Sequence, residues 1–176
     1  MLRLYARVLG SSFDTLPPVL KRLHDVRPRK RYAGRCVVER GTGLLARLIA
    51  RVAGLPSSGS DVAIEVEIER HGARETWTRR FGELEMRSVL EASHRYLEER
   101  LRGVRLCFEL SADSGRIAWH LRRARFLFVP LPRSWFSGCT AYEAADGTRY
   151  RFDASAQLRG IGLVVRYRGW MVEHDE

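Results

Sequence analysis

A two-residue hydrophobic beat constrains this chain more than any other feature. In the run from Asp61 to Glu69, Val62, Ile64, Val66 and Ile68 alternate with Asp61, Glu65, Glu67 and Glu69. Successive side chains of a strand point to opposite faces, so this run is a strand with one buried and one wet face. The beat returns through most of the remaining chain. It is broken at His71-Gly72, Asp113-Ser114-Gly115 and Asp146-Gly147, short turn signals that join antiparallel neighbours.

Strands are expected at 32–40 and then in succession from 61 to 170, about eight to ten in all. Within them Trp77, Phe81, Leu84, Met86, Leu90, Phe108, Leu110, Ile117, Trp119 and Leu121 fall on the inner face. The segment 95–101 reads equally as strand or helical turn. Phe126-Leu127-Phe128-Val129-Pro130-Leu131-Pro132 is the most apolar stretch, and its prolines exclude it from the middle of a sheet. Three helices are expected in the N-terminal half. The first, 2–9, ends at Gly10 as a C-cap, and the second, 16–26, has Pro17 and Pro18 in its first turn. The third, 44–53, is expected to bury Leu44, Leu45, Leu48, Ile49 and Val52.

A sheet of that many strands curls or closes. The expected fold is therefore α+β: one domain, a strongly curved, mostly antiparallel sheet or incomplete barrel, with the three helices packed on or into it. Such a shape can enclose a ligand, or be filled by Trp77, Trp119, Phe108 and the 44–52 stripe.

All but two of the 31 basic residues are arginine, and the formal net charge is +10. That charge suits an anionic partner. The arginines are spread along the chain, however, and lack the regularly spaced aromatics of a single-strand binder, so nucleic acid is disfavoured. Peripheral contact with a membrane stays open. No apolar run is long enough to span a bilayer, and the expected compartment is the cytoplasm. Cys36, Cys107 and Cys139 match no zinc or disulfide framework.

Gly41-Thr42-Gly43-Leu44-Leu45-Ala46 fits the G-x-G-x-x-A dinucleotide pattern. Its context is wrong: the strand before it is half polar, and the strands after it are antiparallel instead of completing a βαβ unit. A weaker reading survives, a candidate anion site at Arg40, Gly41 and Gly43, where a helix N-terminus offers free amides. The five histidines (His24, His71, His94, His120 and His174) have no mutual ligand spacing, so no metal or cofactor is expected. No serine sits in a nucleophile elbow, and Glu39, Glu67 and Glu109 alternate outward, either solvated or paired with a cross-strand arginine, so an independent enzyme is disfavoured. The interleaved Arg166-Tyr167-Arg168-Gly169-Trp170 reads as cross-strand stacking, or as a surface for an anion or a membrane interface.

Five blocks in order carry a resemblance. They are 4–10 (LYARVLG), Leu16-Pro17-Pro18 with Arg22-Leu23-His24, 38–47 (VERGTGLLAR), 77–82 (WTRRFG) and 165–170 (VRYRGW). Together they resemble the bacterial family called domain of unknown function 4166, across nearly the whole chain. The family brings no catalytic residues to carry over. Its members stand alone or are fused behind an NAD(P)-binding domain of saccharopine-dehydrogenase or epimerase type, which implies an oxidoreductase partner acting in trans.

Three functions remain in view. The first is a non-enzymatic module for a small hydrophobic, amphipathic or lipid-like ligand. Its apolar contacts would be Trp77, Trp119, Phe126 and Phe128, with Arg47, Arg79 and Arg168 for an anionic head. It predicts a cavity of several hundred Å3, roughly the usual pocket range. The second is an accessory domain docking on an oxidoreductase, which predicts an exposed apolar patch around 126–132. The third binds anionic membranes or polymers through a contiguous arginine face.

Overall fold

A computed structural model describes residues 3–26 and 28–174. Eleven strands form one sheet, antiparallel throughout: β1 (Arg29–Arg40), β2 (Gly59–His71), β3 (Arg74–Phe81), β4 (Leu84–Ser93), β5 (Tyr96–Leu101), β6 (Val104–Asp113), β7 (Arg116–Phe126), β8 (Val129–Leu131), β9 (Thr140–Asp146), β10 (Arg149–Leu158) and β11 (Gly162–Glu173). The β6–β7 hairpin joins the two ends of the strand order, so ten strands close into a ring and β8 lies outside it on β7. The barrel is thus complete, not the incomplete one the alternation suggested. Its strongest bends coincide with small residues and bulges. A Cβ on Gly34 would meet Trp170 O at 1.8 Å, and one on Gly169 would meet Arg35 O at 2.2 Å. Two glycines thus let β1 and β11 pass closer than any side chain permits. Bulges after Cys36, Cys107 and Ala156 add curvature.

Helix α1 (Leu4–Leu9) ends at Gly10 with φ +60°, a 3-10 turn covers Gly10–Phe13, and α2 (Pro18–Leu23) comes next. The second helix is shorter than its expected 16–26. Pro17 is its N-cap in extended geometry, and His24 already leaves the helix. Residue 2 of the expected first helix lies outside the described residues. These segments plug the upper end of the barrel, where β2 turns into β3 and β6 into β7. Tyr5, Leu20 and Leu23 are fully buried there, and Pro17 packs against Gly115 in the β6–β7 turn.

Helix α3 (Leu44–Val52) reverses its expected orientation. Ala46 and Ala50 face inward, while Leu44, Leu45, Leu48 and Val52 are exposed. The helix lies so close to the barrel that only small residues fit beneath it, and Gly41, just before it, sits 1.7 Å from Leu163 O at its would-be Cβ. The connection after α3 seals the lower end. Pro56 is fully buried, Leu55 packs on the core, and Arg40 donates from Nη2 to Leu55 O at 2.8 Å.

The period of two explains the interior. Inward positions of β3 carry Glu75 and Arg79 with Trp77 and Phe81, those of β4 carry Met86, Ser88 and Leu90, and those of β5 carry Leu97 and Glu99. The segment 95–101, readable either way from its sequence, therefore contains a strand. Hairpin turns sit where expected, with φ +65° at Gly72, +76° at Gly115 and +58° at Gly147. The outer wall is laced with arginine–carboxylate pairs, among them Arg35 with Asp61, Arg74 and Arg100 with Glu91, and Arg166 with Asp153.

Candidate site inside the barrel

Two short helices and four strands bring a polar cluster into the upper half of the barrel. The Tyr5 ring of α1 stacks on the His24 imidazole at 3.5 Å between centroids. Trp77 lies 6.4 Å from Tyr5, and Trp119 lies edge-on to it at 6.0 Å. His24 Nε2 is hydrogen-bonded to Glu143 Oε2 of β9 at 2.7 Å, tying α2 to the wall. Glu143 also lies near enough to the Tyr150 hydroxyl to raise its phenol. Across the barrel, Trp77 donates from Nε1 to Glu75 Oε2 at 3.1 Å. One layer lower, Arg79 donates to Ser88 Oγ (2.8 Å) and to Glu99 Oε1 (3.2 Å), and its guanidinium lies 5.1 Å from the Trp77 ring centre.

Burial sets the electrostatics. It pushes the Tyr5 and Tyr150 phenols well above their ordinary range, with Glu143 adding to both, and it raises the Tyr167 phenol. Those hydroxyls stay protonated donors. Burial also raises the Glu75 carboxyl, against the pull of the Trp77 hydrogen bond and of nearby His24 and Arg70. Three buried polar atoms of this cluster have no protein partner: Tyr5 Oη, His24 Nδ1 and Trp119 Nε1. Leaving a polar atom buried and unpaired costs about 1–3 kcal/mol.

The expected cavity of several hundred Å3 does not open inside the barrel. The interior among the described residues is filled by the plug and the aromatic rings. A hollow of about 460 Å3 is an open groove on the outer wall, lined by Arg95, Tyr96, Glu109, Arg122, Arg123 and Arg133. There the Tyr96 ring has Arg95 and Arg123 each 5.4 Å from its centre. A crevice of about 30 Å3, room for one water, runs between α2 and the rim of β10, β11 and β1, past Tyr150 and Met171.

The residues singled out from sequence separate into groups. Trp77, Arg79 and Trp119 meet inside. Phe126, Phe128 and Arg47 lie exposed at the lower end. Arg168 is on the outer wall, 3.1 Å from Glu39. Arg40 is held by Leu55 O, Gly41 is pressed on Leu163 O, and Gly43 is the N-cap of α3. In the C-terminal motif Trp170 stacks with Arg149 at 4.3 Å, the cross-strand reading of that segment. Sequence reasoning misses Tyr5, Glu75, Glu143 and Tyr150. For Glu75 a signal exists: it shares the parity of Trp77. Glu143 and Tyr150 lie on strands whose inner face carries too few large apolar residues for the beat to reveal it.

No cluster of three or more metal-binding side chains occurs among the described residues. No described helix is long and apolar enough to cross a membrane.

No curated protein matches the sequence. A solved structure, that of Rv2717c from M. tuberculosis, is 12% identical with a TM-score of 0.48, over 91% of this chain and 99% of that one. The family model for "Domain of unknown function (DUF4166)" matches residues 16–171, which include α2, β1 to β10 and all but the last two residues of β11. The chain belongs to the DUF4166 family.

Proposed function

We propose that this barrel is a non-enzymatic binder of a compact amphipathic small molecule, which exchanges with the helical plug at the upper end. The observation that carries the reading is the set of three unpaired buried polar atoms, Tyr5 Oη, His24 Nδ1 and Trp119 Nε1, gathered around one aromatic stack. A purely structural core would hold apolar groups there, or satisfy these atoms. A ligand taking the place of Tyr5 would meet flat walls at His24, Trp77 and Trp119. It would also find donors and acceptors at Trp119 Nε1, His24 Nδ1 and the Glu75 and Glu143 carboxyls. Arg79 lies one layer below for an anionic group. The plug suits displacement: α1 and α2 have six residues each and no side-chain caps, so they have little stability of their own and depend on their contacts with the barrel. The crevice beside α2 marks the route in.

Native mass spectrometry of freshly purified protein, compared with its denatured mass, tests this reading. A copurified adduct, enriched in the Tyr5→Ala variant that vacates the stack, is the expected result. A clean apo mass in both proteins would refute it.

A further inference from the structure

The lower end of the barrel carries features that a solvated rim does not need. Hairpin turns alternate between the two ends. The lower end therefore collects α3, the β3–β4 turn, the β5–β6 turn, the β7–β8 tip and the β10–β11 turn. Helix α3 presents Leu44, Leu45, Leu48 and Val52 to solvent, Leu44 at 83% exposure. The β7–β8 tip presents Phe126, Leu127, Phe128 and Val129, with Phe128 95% exposed. These two apolar segments are linked. The Arg102 guanidinium lies over Gly54 at the end of α3, and Leu127 packs on Gly103 and donates its amide to Gly103 O. The end is therefore one surface, not two separate tips.

Its charge is as one-sided as its apolar content. Arg47, Arg51, Arg102, Arg105, Arg125 and Arg159 are exposed there, and none forms an ion pair among the described residues, unlike the arginines of the outer wall. The acids at this end are Glu39, Asp61, Glu65, Glu83 and Glu85, three of them (Glu39, Asp61 and Glu85) already paired with Arg168, Arg35 and Arg80. Arg105 sits directly opposite Arg125 in the strand pairing, and on its other side opposite Arg100, which Glu91 already pairs. Like charges facing each other across strands destabilise a sheet unless an external anion compensates.

We infer that this end seats on an anionic lipid surface, with α3 and the 126–129 tip entering the headgroup boundary while the arginines meet the phosphates. Leucine and phenylalanine beside arginine is the chemistry of interfacial anchoring. A second copy of the chain is the poorer occupant, because its six arginines would meet six more. The inference is independent of the interior site, which lies at the opposite end.

Co-sedimentation of the full chain with vesicles decides it, using phosphatidylcholine alone and phosphatidylcholine with phosphatidylglycerol. The expected result is binding to the anionic vesicles only. That binding should collapse between about 0.1 M and about 1 M salt, as the screening length falls from about 10 to about 3 Å. Phe128→Ser with Leu48→Ser should weaken it roughly tenfold or more. Arg105→Ser with Arg125→Ser should weaken it by roughly an order of magnitude. All four side chains are exposed, so far-UV circular dichroism should be unchanged. Equal binding to neutral vesicles, no binding to anionic ones, or unchanged binding by both variants overturns the inference. So does self-association abolished by Phe128→Ser in protein that ignores vesicles.

Discussion

Replacing Glu143 by alanine should loosen the plug more than any other single change in the wall. Glu143 accepts from His24 at 2.7 Å, and it lies near Tyr150. His24 is fully buried and its Nδ1 is already unpaired. Without Glu143 neither ring nitrogen has a partner. A hydrogen bond to a charged group contributes about 1.5–3 kcal/mol, and each stranded buried group costs about 1–3 kcal/mol. Together with the behaviour of broken buried pairs, this places Glu143→Ala about 3–5 kcal/mol below wild type. At about 2–4 °C per kcal/mol for a domain of this length, Tm should fall by roughly 10 °C. Urea unfolding followed by tryptophan fluorescence reads the loss, since Trp77 and Trp119 lie beside the pair. Glu143→Gln keeps an acceptor in place and should lose only about 1 kcal/mol. His24→Ala combined with Glu143→Ala should cost clearly less than the two single losses added, because the contact can be lost only once. A Glu143→Ala variant within about 1 kcal/mol of wild type, or an additive double mutant, would refute the claim that this contact anchors the plug.

The same geometry sets other outcomes. Because burial raises the Glu75 carboxyl, the folded state keeps that proton to higher pH than the unfolded chain. Its contribution to stability is therefore lost as pH climbs from about 4.5 through the raised value. Glu75→Gln should gain in Tm over wild type as pH goes from acid to neutral, and a pH-independent difference would contradict this. Cys36 is buried and its thiol is pushed up to about 11, so at pH 8 only roughly one part in a thousand is thiolate. Ellman's reagent should leave it unmodified until urea unfolds the chain, and should reach the partly exposed Cys139 first. Gly34→Ala drives a methyl into Trp170 O and should cost about 3 kcal/mol or more by urea midpoint. Gly72→Ala, at φ +65° with open space, should cost about 1 kcal/mol.

Architecture is more legible in the sequence than the site is. Strict alternation in 61–69 and the glycine turns constrain strand positions strongly, because a one-residue slip would turn every core residue to water. Closure is not legible. It depends on Gly34 and Gly169 letting two strands approach, and a glycine in a strand does not announce what passes over it. The orientation of α3 is hidden for a related reason. Its leucine stripe has ordinary core spacing, and only the closeness of β11 gives the inner face to Ala46 and Ala50. Within the site, the large aromatics Trp77 and Trp119 stand out by size, and Arg79 by its charge. Tyr5 and His24 belong to short segments whose burial arises from the whole barrel, so no local pattern marks them. Glu143 reads as a solvated strand residue until Ile117 of β7 is found opposite it.

The pairing of β1 with β11 has a consequence in time. The first strand of the ring finds its partner in the last, so the wall cannot close until nearly the entire sequence is available. Contacts that distant are slow to form. A nascent chain leaving the ribosome N-terminus first would thus carry the α1 and α2 segments long before there is an interior for them to enter. Until β11 arrives, Tyr5, Leu20 and Leu23 have nowhere to go. The last strand to be made is the one that lets the first helices settle.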